Sequence, residues 1–205
     1  MPHLVLASAS PRRAQLLRQV GLSFEVWAGA PEEETRGVLP AGPDGEGPGW
    51  TLEAVRARAR EAALGKAQPA AAAQPDAVVI AADTVVVIDG VVLGKPRTPA
   101  DAEEMLLRLS GRTHHVATGV VVAHGRRALT LADDSVTAVR FRPLRRDEIL
   151  RYIASGEPMD KAGAYGIQGR AALFVERVEG DYFGVVGLPL APLARMLDAA
   201  GIVAL

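Results

Sequence analysis

The chain contains no cysteine, so disulfides and thiolate chemistry are excluded, and any metal must be held by oxygen or imidazole. It has no uninterrupted apolar run of about 18 residues, the length a bilayer span needs. Neither sign of charge is in excess: 23 Lys and Arg stand against 24 Asp and Glu, a net charge of −1. That balance argues against broad electrostatic binding of nucleic acid or of a membrane surface. The first residues lack the basic segment, apolar stretch and cleavage site of a secretory signal, so a cytoplasmic location is expected. Internal repeats and low-complexity domains are missing too. What remains is a chain of 205 residues, 49% of them apolar, long enough to bury a core as a single domain, with or without two lobes.

The stretch from Ala77 to Pro96 organises the rest. Val78 to Ala82 and Val85 to Ile88 are short, β-branched apolar runs that read as two buried strands. Asp89-Gly90 between valines is a hairpin turn signal, because such a turn needs positive φ at both central residues. Asp83 interrupts the apolar runs with a full negative charge, and a carboxylate is seldom buried unless it is paired or metal-bound. Gly94-Lys95-Pro96 then sets a cation in a constrained turn. An acid on a rigid strand beside a cation on a tight loop suits a phosphate-handling site. On this stretch alone, an Asp capping a neighbouring loop with Lys95 solvated stands equally open.

His3 to Ala7 read as a first strand, and Ser8-Ala9-Ser10-Pro11-Arg12-Arg13 leads into a helix carrying Leu16, Leu17 and Val20. Ser10 suits the N-cap and Pro11 the first helical position. Arg12 and Arg13 have the wrong sign for a helix N-terminus, which favours acids, unless an anion sits among them. Free N–H groups, serine hydroxyls and guanidinium forks together make a phosphate cradle; the alternative is two solvated arginines. Phe24 to Ala28 read as a second strand, followed by the acidic run Glu32-Glu33-Glu34. If that run faces Asp83, one or two of its carboxylates complete an all-oxygen site for Mg²⁺ or Mn²⁺. Residues 37–49 read as an exposed loop, Thr51 caps a helix of about four turns through Leu64, and 68–76 reads as a structureless connector.

Farther on, Thr98-Pro99-Ala100-Asp101 starts a helix that buries Met105, Leu106 and Leu109. Val116 to Ala123, Ala128 to Leu131 and Ser135 to Phe141 read as antiparallel strands. His114 and His115, adjacent on a strand, point to opposite faces and read as surface residues; nothing is assigned to His124. Asp147 to Ala154 form a short helix. The segment Glu157 to Gly169 holds three glycines within seven residues, which suits a loop whose backbone closely approaches a ligand. A strand over 173–178 and an amphipathic helix over 190–200 close the chain.

The segments SASPRR (8–13), AADTVV (81–86), GKP (94–96), LSGRTHHVATGV (109–120), EPMDKAGAYGIQG (157–169) and VVGLP (185–189) resemble, in this order, the motifs of the Maf family of nucleoside triphosphate pyrophosphatases, once linked to septum formation. The resemblance implies an α/β fold, with a mixed, curved, extended sheet flanked by helices and two lobes around a central cleft, like the inosine triphosphatases. It implies hydrolysis between the α and β phosphates with a divalent cation, Mg²⁺ or Mn²⁺, and it admits a homodimer. By the same resemblance Asp83 is the catalytic carboxylate, which also binds metal together with Glu33. Ser8, Arg12, Lys95 and Lys161 bind phosphate, while Arg13, Thr84 and Gln168 mark the branch acting on dTTP and UTP. The Gln168 amide offers a donor and an acceptor to a pyrimidine edge. Two departures stand out. Relatives carry a lysine near position 62, where this chain has Ala62 with Lys66 one turn later, and Gly184 stands where asparagine is common. Two other functions compete: a nucleotide-sensing regulatory protein of cell division, and a nucleotidyltransferase.

Overall fold

The computed structural model describes residues 3–27, 29, 35–39 and 49–202. The acidic run around Glu33 therefore lies outside the described residues, as does most of the expected 37–49 loop. In chain order the elements are β1 (Leu4–Leu6), α1 (Pro11–Gln19), β2 (Glu25–Val26), β3 (Val38–Leu39), α2 (Leu52–Ala73), β4 (Val78–Ile88), β5 (Val91–Leu93), α3 (Pro99–Leu109), β6 (Thr113–His124), β7 (Leu129–Phe141), α4 (Arg146–Ala154), β8 (Val175–Glu179), α5 (Tyr182–Val186) and α6 (Leu190–Ala199). Short 3₁₀ turns occupy Glu157–Asp160, Ala162–Ala164 and Arg170–Phe174.

All the strands join one mixed sheet in the order β2-β1-β4-β6-β7-β8, with β3 and β5 added along the β4 edge. β1 runs parallel to β2 and β4, and every other pairing is antiparallel. Helices cover both faces. Val78, Ile80, Ala82, Val86 and Ile88 of β4 face α1, α3, α4 and α6, whereas Val79, Ala81, Val85 and Val87 face α2 and Trp50. This is the period-2 alternation of a strand buried on both sides. The expected mixed α/β architecture is thus what the chain adopts.

Three local expectations need correction. The two apolar runs around Asp83 are a single eleven-residue strand, because β6 pairs with β4 continuously from Val78 to Val87 and carries the ladder past the charge. Its hairpin is as expected, with Asp89 and Gly90 at φ 50° and 71°. Likewise 129–141 is one strand and not two; its polar centre is accommodated by Asp133 and Asp134, which bind Arg195 and the pair Arg56 and Arg60. Finally, α2 runs 22 residues and absorbs most of the supposed connector, with Pro69 in its interior. An interior proline costs about 3 kcal/mol. The helix continues because Ala63, Ala67, Ala70 and Ala71 form a small-residue stripe packed on Val5, Val79, Ala81 and Val121. Close approach is built in elsewhere along the same helix: a Cβ on Gly119 of β6 would lie 2.4 Å from the Ala59 carbonyl.

Candidate active site

β4 is longer than either of its neighbours on the outer edge. β1 pairs with it only over Val78 to Ile80, and β5 only over Val86 to Ile88. Residues 81–85 of β4 are left facing a gap in the sheet edge, and Asp83 and Thr84 sit in that gap. Being adjacent on a strand, their side chains leave on opposite faces. Asp83 turns to the α2 side and Thr84 to the side of α1 and α5. A cavity of about 270 Å³ opens here, bordered by Arg12, Arg13, Asp83, Thr84, Lys95, Lys161, Tyr165, Gln168 and Gly187. A smaller hollow continues along Asp83, Thr84, Gly94 and Lys95.

On the α2 face, the Lys66 ammonium donates to Asp83 Oδ1 at 2.6 Å, with both side chains largely shielded from solvent. Lys66, the substitute offered for the lysine expected near position 62, thus reaches Asp83 from one turn farther along the same helix. Sequence reasoning placed it only as a substitute, since nothing local ties it to Asp83, 17 residues away.

Lys95 borders the cavity from a loop fixed at several points. Its N–H donates to the Thr35 carbonyl at 2.8 Å, its carbonyl accepts from Gly37, and the Gly94 carbonyl accepts from Gly163. Gly94 is obligatory, because a Cβ there would stand 2.3 Å from the Thr35 carbonyl oxygen. At the cavity mouth Arg12 and Lys161 flank Asp160, at 3.2 and 2.5 Å. Burial pushes the Asp160 carboxyl up, but its hydrogen bond to Lys161 and the charges of Lys161 and Arg12 outweigh it, so the net shift is downward. Asp160 was missed in the sequence; it keeps two cations together on the border of the cavity.

The α1 face differs from expectation. Ser10 takes the N-cap position, but its side chain caps nothing; instead its N–H donates to Ser8 Oγ at 3.2 Å. Ser8 is buried and does not border the cavity. Its hydroxyl also accepts from Arg13 Nη1 at 2.9 Å. Arg13 borders the cavity without being solvated. It is buried, donating through Nε to the Gly187 carbonyl at 2.8 Å and through Nη2 to Thr84 Oγ1 at 3.4 Å. Ser8 and Arg13 therefore act as a clip joining α1, β4 and the end of α5, while Arg12 reaches Asp160. Gln168 is exposed on the opposite wall, beside Tyr165 and Ile167.

Tyr165 brings in the histidine misjudged as a surface residue. His114 is fully buried, with Nε2 2.9 Å from the Tyr165 hydroxyl and its ring edge-on to Phe141 and Tyr165. Burial, with a smaller contribution from His115, lowers its pKa to about 3, so the imidazole is neutral. Alternation correctly put His114 and His115 on opposite faces, but Tyr165 and Phe141 cover the His114 side.

A family model, Maf-like protein, matches residues 3–200. The chain belongs to the Maf family. Among curated Maf relatives, the dTTP/UTP pyrophosphatase of Symbiobacterium thermophilum is 48% identical over 98% of this chain and 95% of its own length. The protein of the same name from Moorella thermoacetica is 49% identical over 98% and 97%. That of Bacillus pumilus is 46% identical over 98% of both chains. Among solved structures, the Staphylococcus aureus Ham1 protein covers 68% of this chain and 71% of its own at 16% identity and a TM-score of 0.40, too distant a likeness to carry weight. The Maf motifs quoted above converge on the gap in β4. Among the described residues, none forms a cluster of three or more His, Asp or Glu able to cage a metal, and no helix is long and apolar enough to cross a membrane.

Proposed function

We propose that this Maf protein is a nucleoside triphosphate pyrophosphatase that cleaves dTTP and UTP to the monophosphate and pyrophosphate. The observation carrying the proposal is the carboxylate of Asp83 in the open edge of β4, on a cavity bordered by Arg12, Lys95 and Lys161. The names of relatives 46–49% identical over nearly the whole chain agree with it.

In this reading the triphosphate lies against the cations, which neutralise the charge that grows on pyrophosphate as it leaves. Phosphoryl chemistry of this kind rests mostly on positioning and electrostatics. Asp83 orients a water toward the α-phosphorus and takes its proton, while Lys66 holds the carboxylate in place. Asp83, with Glu33 as the family resemblance implies, would hold a Mg²⁺ or Mn²⁺ ion through carboxylate oxygen. Such an ion would supply additional neutralisation of the phosphates. Arg13 serves recognition indirectly, by holding Thr84, and Gln168 faces the base from the far wall.

The test is a substrate panel of dTTP, UTP, CTP, GTP and 7-methyl-GTP with Mg²⁺, run on the wild type and on Asp83→Asn. Free pyrophosphate from dTTP and UTP, lost in Asp83→Asn while nucleotide still binds, is the expected result. Near-normal release by the variant removes Asp83 from the chemistry. Preference for the methylated purine overturns the base assignment, and a nucleotide adduct in place of free monophosphate would make the protein a transferase.

A further inference from the structure

Thr118 lies directly across the β4–β6 ladder from Thr84, is fully buried, and does not border the 270 Å³ cavity. Its hydroxyl donates to the Gly184 carbonyl at 2.7 Å. A carbonyl can only accept, so the one Thr118 proton is committed to that bond. The contact between the Thr84 and Thr118 hydroxyls, 3.0 Å, must then have Thr84 as donor. On its other side Thr84 faces Arg13 Nη2, which has protons and no lone pair. The Thr84 proton is therefore directed into the protein, and what Thr84 presents to the cavity is a lone pair.

We infer that Thr118 is a positioning residue that makes Thr84 an acceptor toward the base and so sets the protein against cytosine. Uracil and thymine carry a proton on N3; cytosine carries a lone pair there. An acceptor whose proton is tied elsewhere matches the first and opposes the second, and mismatched buried polar groups are the strongest source of rejection between otherwise similar ligands. This rests on the proposed handling of pyrimidine nucleotides. It adds that discrimination originates in a side chain no ligand touches, on the strand behind the site.

The experiment compares wild type, Thr118→Val and Thr118→Ser for kcat/KM on UTP and CTP, and for equilibrium binding of UMP and CMP, which needs no hydrolysis. Valine keeps the shape and removes the hydroxyl, freeing Thr84 to rotate and donate. The UTP-to-CTP ratio should fall about tenfold or more, roughly one hydrogen bond's worth, and the UMP-to-CMP ratio should follow. Serine should restore both. Parallel loss on both nucleotides in Thr118→Val, or an unchanged ratio, overturns the inference. Thr84→Val keeps the test decisive should Thr118→Val fold poorly: it must lose the same discrimination, and the double variant must lose no more. Absence of triphosphate hydrolysis with intact UMP preference would sink the proposed activity alone, whereas a wild type binding UMP and CMP equally sinks the Thr118 assignment.

Discussion

His114 offers a prediction whose size can be worked from its surroundings. In the unfolded chain its imidazole titrates near 6.5, whereas in the folded protein burial lowers that to about 3. The cause is visible in the geometry: Nε2 faces the Tyr165 hydroxyl, but Nδ1 is buried with no hydrogen-bond partner, so a second ring proton would be an unsatisfied donor carrying a buried charge. Between these two values the unfolded chain binds a proton that the folded one refuses. Stability is therefore complete above about pH 6.5 and declines as pH falls, by up to about 1.4 kcal/mol per pH unit. By pH 4.5 this one residue removes about 2–3 kcal/mol, a large part of a typical domain's 5–15 kcal/mol. Urea midpoints at pH 7.5, 6.5, 5.5 and 4.5 should be compared for wild type, His114→Phe and His114→Gln. Each variant should be offset by a constant amount for its altered contact with Tyr165, yet decline less steeply than wild type below pH 6.5. Carboxylates such as Asp160, lowered in the fold, lose their contribution at still lower pH and do so equally in all three proteins. Parallel curves through this window would refute the buried, neutral histidine.

Lys66→Met should lower turnover about a hundredfold, the scale of losing one charged group that organises a reacting site, and should add little to the effect of Asp83→Asn when the two are combined; additive losses would separate the lysine from the acid. Gly94→Ala should cost about 1–3 kcal/mol, as overpacking does, because its Cβ meets the Thr35 backbone; an unchanged melting temperature would show that the Lys95 loop is looser than its hydrogen bonds suggest.

How far the sequence foretold this arrangement differs from residue to residue. Asp83, Lys95 and the 157–169 loop were legible because each breaks a local rule: a charge within apolar strand, a cation in a glycine-proline turn, glycines dense in a long loop. The mixed α/β architecture was implied by the resemblance of the motifs to the Maf family. What could not be read depended on distant partners. Arg13 and Arg12 are indistinguishable in sequence, yet one is buried against Thr84 and Gly187 and the other reaches Asp160, 148 positions away. Pro69 signalled a break that the alanine stripe of α2 overrides. His114 looked like its neighbour because alternation says only that two side chains diverge, not which of the two faces will be covered.

The interrupted edge of β4 has a consequence for how such a protein can change. The Asp83 carboxylate and the Thr84 hydroxyl belong to adjacent residues and stand opposite Gly119 and Thr118 in the same ladder. The glycine admits α2, and with it Lys66; the threonine meets Thr84 hydroxyl to hydroxyl. A single-residue insertion or deletion anywhere in the early part of β4 would exchange the two faces, sending the carboxylate toward Arg13 and the hydroxyl toward Lys66. The central dipeptide therefore cannot shift by one position without exchanging the partners of both its side chains.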